Sequence, residues 1–316
     1  MYAKKNIVSS GFRERILEKS KKVQPLKIGA ATFHIEAQEL TPELSAKARD
    51  ELRETPEVVE QALAEMRELL KGEPDLNVPD DDYFFCKFLR PVKWHVKPAF
   101  ELMKRFYRYK VTHPRICNNL IPSSDRAIFE SGVVTPLPVR ADGCRVILIE
   151  SGKRWKPKEI ALEQIFRGVM MFLAAALNEP MTQVCGVQVI LDMDGLSLSH
   201  VTYFTPSFAS AVLEWVQKCL PVRLKGVHII NQPYIFNMVF AIFKPFLHEK
   251  LRKRVHFHGT NRPALLSHIE AKALPRRYGG DLDIPADPIG EPLFKYLTLW
   301  EDEFVDEDRI GYTTKK

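Results

Sequence analysis

Hydrophobic positions along this chain follow two rhythms. From residue 41 to residue 114 they recur every three to four residues. TPELSAKARDELRE opens on a Thr cap, then Pro and Glu, and TPEVVEQALAEMRELLKG repeats that start at Thr55, with Val58, Leu63, Met66 and Leu70 spaced for one face and Gly72 at its end. PDDDYFFCKFLRPVKW follows, with Asp80 to Asp82 suited to a helix start, Phe84, Phe85, Phe88 and Leu89 at helical spacing and Pro91 as a stop. KPAFELMKRFYRYKVTHP places Phe100, Met103, Phe106 and Tyr107 on a further amphipathic helix. Four helices in succession predict a helical lobe over 41–114. Beyond it the rhythm shortens. CRVILIE (144–150), CGVQVILDMDG (185–195), GVHII (226–230) and RVHFH (254–258) are β-rich runs, separated by helical segments at 158–178, 205–219, 233–252 and 262–272. Strands alternating with helices predict an α/β fold whose sheet is largely parallel and flanked by helices. SGVVTPLPVRADG, with its spaced prolines and Asp-Gly turn, predicts a hairpin leading into the first run.

One stretch breaks the amphipathic rule. In VHIINQPYIFNMVFAIFKPFLHEKLRKRVHFH (227–258), a helix from Pro233 puts Ile235, Val239, Ile242 and Phe246 on one stripe, and Phe236, Phe240, Phe243 and Leu247 on the next. A helix apolar on two adjacent stripes either sits inside a core or covers a cavity. It is too short to span a bilayer, and Lys244 and Pro245 interrupt it. Pro245 lacks the amide proton and its ring presses on the Ala241 carbonyl, so a kink or break is expected there. Immediately afterwards come Lys250, Arg252, Lys253 and Arg254. An oily segment running into a positive cluster suits an anionic, lipid-bearing surface.

Charge sharpens this picture only when it is located. Residues 1–28 hold eight Lys/Arg and two Glu, a balance of +6, which equals the net charge of all 316 residues. The remainder is neutral in sum, which weakens a nucleic-acid reading. The basic arm is expected to be loosely docked, and the acid-rich end, with six acids in 301–308, to be a solvated tail. The five cysteines are widely spaced and form no CxxC, which fits reduced thiols. No spanning helix or apolar signal core is present, so a cytoplasmic protein is expected, touching endosomal or plasma membranes transiently.

Catalytic constellations are missing: there is no GxSxG elbow, no GxxxxGK and no GxGxxG. LDMDG has the acids of a phosphatase or calcium loop without their partners, and reads as a strand-end turn. His256 and His258 share a strand face but lack a third ligand, so no metal site is expected. A carrier is favoured over an enzyme.

Three strings together resemble one family. FCKFLRPVKW is similar to its N-terminal signature, GVQVILDMDGLSLSHVTYFTPS to its central strand and turn, and LPVRLKGVHIINQPYIFNMVFAIFKPFLHEKLRKRVHFHG with a later LPRRYGG to its most specific segment. The chain is identified as a member of the CRAL-TRIO lipid-binding family, near its tocopherol-transfer, retinaldehyde-binding and clavesin branches. The resemblance implies a basic extension over 1–40, the helical lobe over 41–114, a lipid-binding domain over 115–282 with a mixed sheet and a mobile lid at 231–254, and an extension with an acidic tail over 283–316. It implies no cofactor beyond a bound hydrophobic ligand, an isoprenoid such as a retinoid, carotenoid or tocopherol. The expected pocket wall is Phe166, Val169, Met170, Leu173, Leu191, Leu196, Phe208, Val212, Val216, Leu220, Val227, Phe236, Phe240 and Phe243. Val169 and Leu173 replace two serines of the tocopherol site, which implies a ligand needing fewer polar contacts there. In the tocopherol branch a basic set binds phosphatidylinositol bisphosphate, and the matching positions are Arg223, Lys225, Lys250 and Arg254, while a fifth arginine falls on Val92 beside Lys93. The implied function is transfer of a lipid between membranes; a phosphoinositide-reading trafficking adaptor of the clavesin type is the alternative.

Overall fold

A computed structural model describes residues 11–312. The chain opens with α1 (Phe12–Lys22) and a short antiparallel hairpin of β1 (Leu26–Ile28) and β2 (Ala31–Phe33). α2 (Pro42–Leu52), α3 (Pro56–Lys71), α4 (Asp82–Leu89) and α5 (Val96–Thr112) then form the helical lobe, with β3 (Leu76–Asn77) between α3 and α4. The caps are those the sequence predicts: Thr41 Oγ1 accepts from Leu44 N, Thr55 Oγ1 from Val58 N, and Asp81 Oδ1 from Phe84 N. The lobe is filled by aromatic rings meeting at an angle, among them Phe12 on Phe84 and Phe88 on Phe106.

Two expectations about the ends are corrected. The described part of the basic arm is not loose: Phe12 and Ile16 are buried in the same core as Phe84 and Met103. The acid-rich end is not a solvated tail. After α10 (Gly290–Thr298), α11 (Glu301–Arg309) lies against α1, where Glu303 accepts three hydrogen bonds from Arg15 and Lys19 pairs with Asp302. Lys87 of α4, also buried, has Glu307 at 3.7 Å. β9 (Gly311–Tyr312) then pairs with β3. Phe304 and Ile310 supply the burial that holds α11 down; the sequence shows six acids but not the cations waiting for them.

The central sheet runs β4 (Val134–Pro136), β5 (Arg145–Glu150), β6 (Val187–Asp192), β7 (Leu224–Ile230) and β8 (Val255–Gly259) in spatial order. β4 is antiparallel to β5, through the predicted hairpin, and the rest are parallel. Crossovers between the parallel strands carry α6 (Leu162–Ala176), α7 (Pro206–Glu214) with a π-turn over Trp215–Cys219, and the 231–254 segment. One face of the sheet, through Val146, Leu148, Ile190 and Ile230, packs on Leu265, Ile269, Leu274 and Tyr278. The other face, through Ile149, Val189, Leu191, Val227 and Ile229, is left for the site.

Candidate functional site

Segment 231–254, the lid of the sequence analysis, lies over that second face. Its first part is α8 (Phe236–Phe243); a 3-10 turn at Lys244–Phe246 follows, Leu247 is extended, and α9 (Glu249–Arg252) leads into β8. The helical segment expected over 233–252 is interrupted at the proline, as the sequence predicts: Pro245 cannot donate and its ring crowds the preceding turn. Before the lid, Asn231 adopts φ 52°, and its side chain is clamped, Nδ2 donating to Asp192 Oδ1 at 2.9 Å and Oδ1 accepting from Arg262 at 2.7 Å. Asp192 Oδ2 accepts from Tyr278 at 2.6 Å, so LDMDG is a strand-end turn that anchors the lid's start.

Between lid and sheet lies a cavity of about 260 Å³ with an almost wholly apolar wall. Of the expected residues, Phe166, Val169, Leu173, Leu191, Phe208, Val212, Val216, Leu220, Val227, Phe236, Phe240 and Phe243 line it. Met170 and Leu196 do not. On α6, positions 166, 169 and 173 share a stripe, and Met170 falls on the neighbouring one and is buried in the core. Leu196, beyond the Gly195 turn, packs with Met193 and Val201. Sequence reasoning missed Val189 and Ile229, which strand alternation with Leu191 and Val227 would have found. It also missed Trp215, which helical spacing from Phe208 and Val212 would have found, and Ser151, for which no hydrophobic signal exists. The lid closes the cavity with Phe236, Val239, Phe240, Phe243 and Leu247, while Tyr234 is 90% exposed and Met238 51% exposed on its outer side.

The four expected cations gather at the N-terminal edge of β7 and β8. Arg223 and Lys225 lie at the start of β7; Arg254 precedes β8, and its carbonyl accepts from Val227 N at 2.8 Å. Lys250 is on α9. The register of β7 on β6 skips one residue, Leu224 facing Val187 and Gly226 facing Gln188, so Lys225 is bulged out and exposed. The set is electrostatically split. Glu51 of α2 accepts from Arg223 at 2.7 Å and lies 3.8 Å from Lys225, and the hydrogen bond from Arg223 holds its carboxyl below the ordinary value. Lys250 and Arg254 have no ion pair among the described residues. Lys93 follows the 3-10 turn at Arg90–Val92, exposed and at φ 57°.

On the sheet's far side, His228 Nε2 donates to Gln188 Oε1 at 2.9 Å and its Nδ1 shares a hydrogen bond with His258 Nε2 at 3.0 Å, with His256 stacked at 5.3 Å and His268 tilted at 5.2 Å. Burial, then the charges of the neighbouring imidazoles, pushes His228 down to about 3. Among the described residues no group of three or more His, Cys, Asp or Glu is placed to hold a metal ion, and no helix is long and apolar enough to cross a membrane.

Comparison with known proteins places these features in a lineage. A family model described as CRAL/TRIO domain matches residues 130–280. "Alpha-tocopherol transfer protein-like" of Homo sapiens is 35% identical over 271 residues, covering 85% of this chain and 78% of that protein. Clavesin-1 of Rattus norvegicus is 31% identical over 257 residues, covering 80% of this chain and 72% of its own. The crystal structure of Sfh5 aligns with a TM-score of 0.42 at 15% identity, over 85% of this chain and 100% of that one. With the sheet, the lid crossover and an identity above three in ten across most of both chains, this protein belongs to the CRAL/TRIO lipid-binding and transfer family.

Proposed function

We propose that the protein carries a long apolar isoprenoid in the cavity beneath 231–254 and delivers it to membranes bearing phosphatidylinositol bisphosphate. The observation that supports this most directly is the juxtaposition of an apolar chamber closed by α8 with Lys250 and Arg254, which have no ion pair among the described residues, at the end of the same crossover. Apolar surface left in water costs about 25 cal/mol per Å², and a closed chamber removes that cost in transit. At a bilayer Phe240 and Phe243 exchange ligand contacts for acyl chains, so opening need not wet them. A polyphosphate bound by Lys250 and Arg254, joined by Arg223 and Lys225, favours the docked state, and release follows from the difference in its affinity for the two states. The role is that of a carrier and not a catalyst. Transfer of a retinoid or tocopherol between vesicles, with and without phosphatidylinositol bisphosphate in the acceptor, tests this. Faster transfer to the phosphoinositide vesicles, lost in Lys250→Ala/Arg254→Ala, is expected; equal rates reject the phosphoinositide step, and no transfer at all rejects the carrier.

A further inference from the structure

Among the described residues the cavity wall carries a single hydroxyl. Ser151 follows the last residue of β5, and its backbone N–H donates to Asp192 O at 3.1 Å, which fixes it between the ends of β5 and β6. The residue is 8% exposed, and its Oγ has no hydrogen-bond partner among the described residues. Ser151 lines the cavity two residues after Ile149, which strand alternation places on the same face. Every other lining side chain is aliphatic, aromatic or a thioether, and none is charged. Trp215, whose indole N–H is the other polar side-chain group of the wall, sits edge-on to Phe166 at 5.3 Å, on the helical side and away from the β5–β6 ends.

A hydroxyl facing hydrocarbon without a partner is destabilising, and the loss is recovered when a ligand supplies one acceptor or donor. An ionised ligand gains too little from it: a carboxylate would be desolvated against a wall with no cation. The axis of the cavity sets where the polar end goes. Leu224 pairs with Val187 at one end of β6 and Ser151 bonds Asp192 at the other, a run of about 17 Å along the strand. The cationic edge, Arg223 and Lys225, is at the Leu224 end. Ser151 is at the opposite end, where Met193 and Phe236 also line the wall and where the lid begins.

Building on the carrier reading, we infer that Ser151 is a specificity-determining residue: it takes the polar end of the cargo, a long isoprenoid-like chain or ring ending in one neutral oxygen, an alcohol or an aldehyde and not an acid. The cargo therefore lies with its polar end away from the cationic edge. This hydroxyl stands in a different strand from Val169 and Leu173, so the wall has a polar contact at a new place as well as lacking it at those two.

The test uses geranylgeraniol, geranylgeranoic acid and phytane, matched in carbon number, loaded in phosphatidylcholine vesicles and incubated with the full-length protein. Ligand recovered with the protein is measured by mass spectrometry. Wild-type protein takes up the alcohol over phytane and rejects the acid at pH 7. Ser151→Ala lowers alcohol uptake about tenfold, the worth of one hydrogen bond, and leaves phytane uptake unchanged. Ser151→Thr, which keeps the hydroxyl, retains alcohol uptake. Unchanged alcohol uptake by Ser151→Ala, a parallel loss of phytane, or preference for the acid overturns the assignment while leaving the carrier standing. Uptake of none of the three by wild-type protein overturns both.

Discussion

Glu51 decides how strongly the cationic edge attracts an anion. It occupies Arg223 and stands near Lys225, so an arriving phosphate competes with a carboxylate already in place. Glu51→Gln is therefore expected to raise affinity for phosphatidylinositol bisphosphate vesicles severalfold in co-sedimentation at fixed ionic strength; unchanged or weaker binding would place the headgroup elsewhere. His228 makes a second residue-scale prediction. Its proton affinity is lowered by burial and then by its imidazole neighbours, to about 3, and those of His256 and His258 are lowered too. An unfolded histidine takes up a proton near pH 6.5, so the unfolded chain binds more protons below that value. Stability is full above about pH 6.5 and falls as pH drops from there toward 3, and His228→Gln flattens the decline between urea midpoints at pH 7 and pH 5. Single residues were the least legible scale. The cations could be found by family resemblance; that Glu51, from 172 positions earlier, neutralises one of them could not. Ser151 carried no signal because a serine after a strand is ordinary.

At the scale of elements, local rules read well wherever the element was long. The capped helices α2, α3 and α4 start at the Thr and Asp residues expected, because a cap is decided by neighbours in sequence. The hairpin β1–β2 escaped notice because three-residue strands show no period; it packs on α10, where Phe33 meets Tyr296 edge-on. In the lid, the apolar stripes were legible but not their division of labour. Phe236 is 5% exposed and Met238 51%. Phe236→Ala is expected to cost about 3–5 kcal/mol in urea unfolding, and Met238→Ser within about 0.5 kcal/mol. Similar losses for both would mean that the outer face of α8 is also packed.

For the whole molecule, the two ends act together. α1 and α11 bring a basic and an acidic helix into contact, which is how the local excess of +6 in residues 1–28 is partly balanced within the fold. Buried Lys87 depends on this, since Glu307 is its ion-pair partner at 3.7 Å and burial already lowers its proton affinity. Removal of residues 301–316 strands that ammonium and uncovers Phe12, and a loss of about 3–5 kcal/mol is expected, read as a lower melting temperature; an unchanged melt would show the ends to be dispensable. Alternating strands and helices made the sheet legible, whereas this closure depended on contacts nearly a chain length apart. The crossover from β7 to β8 has one more consequence. Its two roots are sewn side by side into one ladder, Val227 beside Val255, so the flap cannot drift off or be mislaid. On the proposed carrier cycle it opens by arching between these roots, with the extended Leu247 beyond the proline as its joint. Each round of the proposed unloading would then restore itself without any strand having to find its neighbour again.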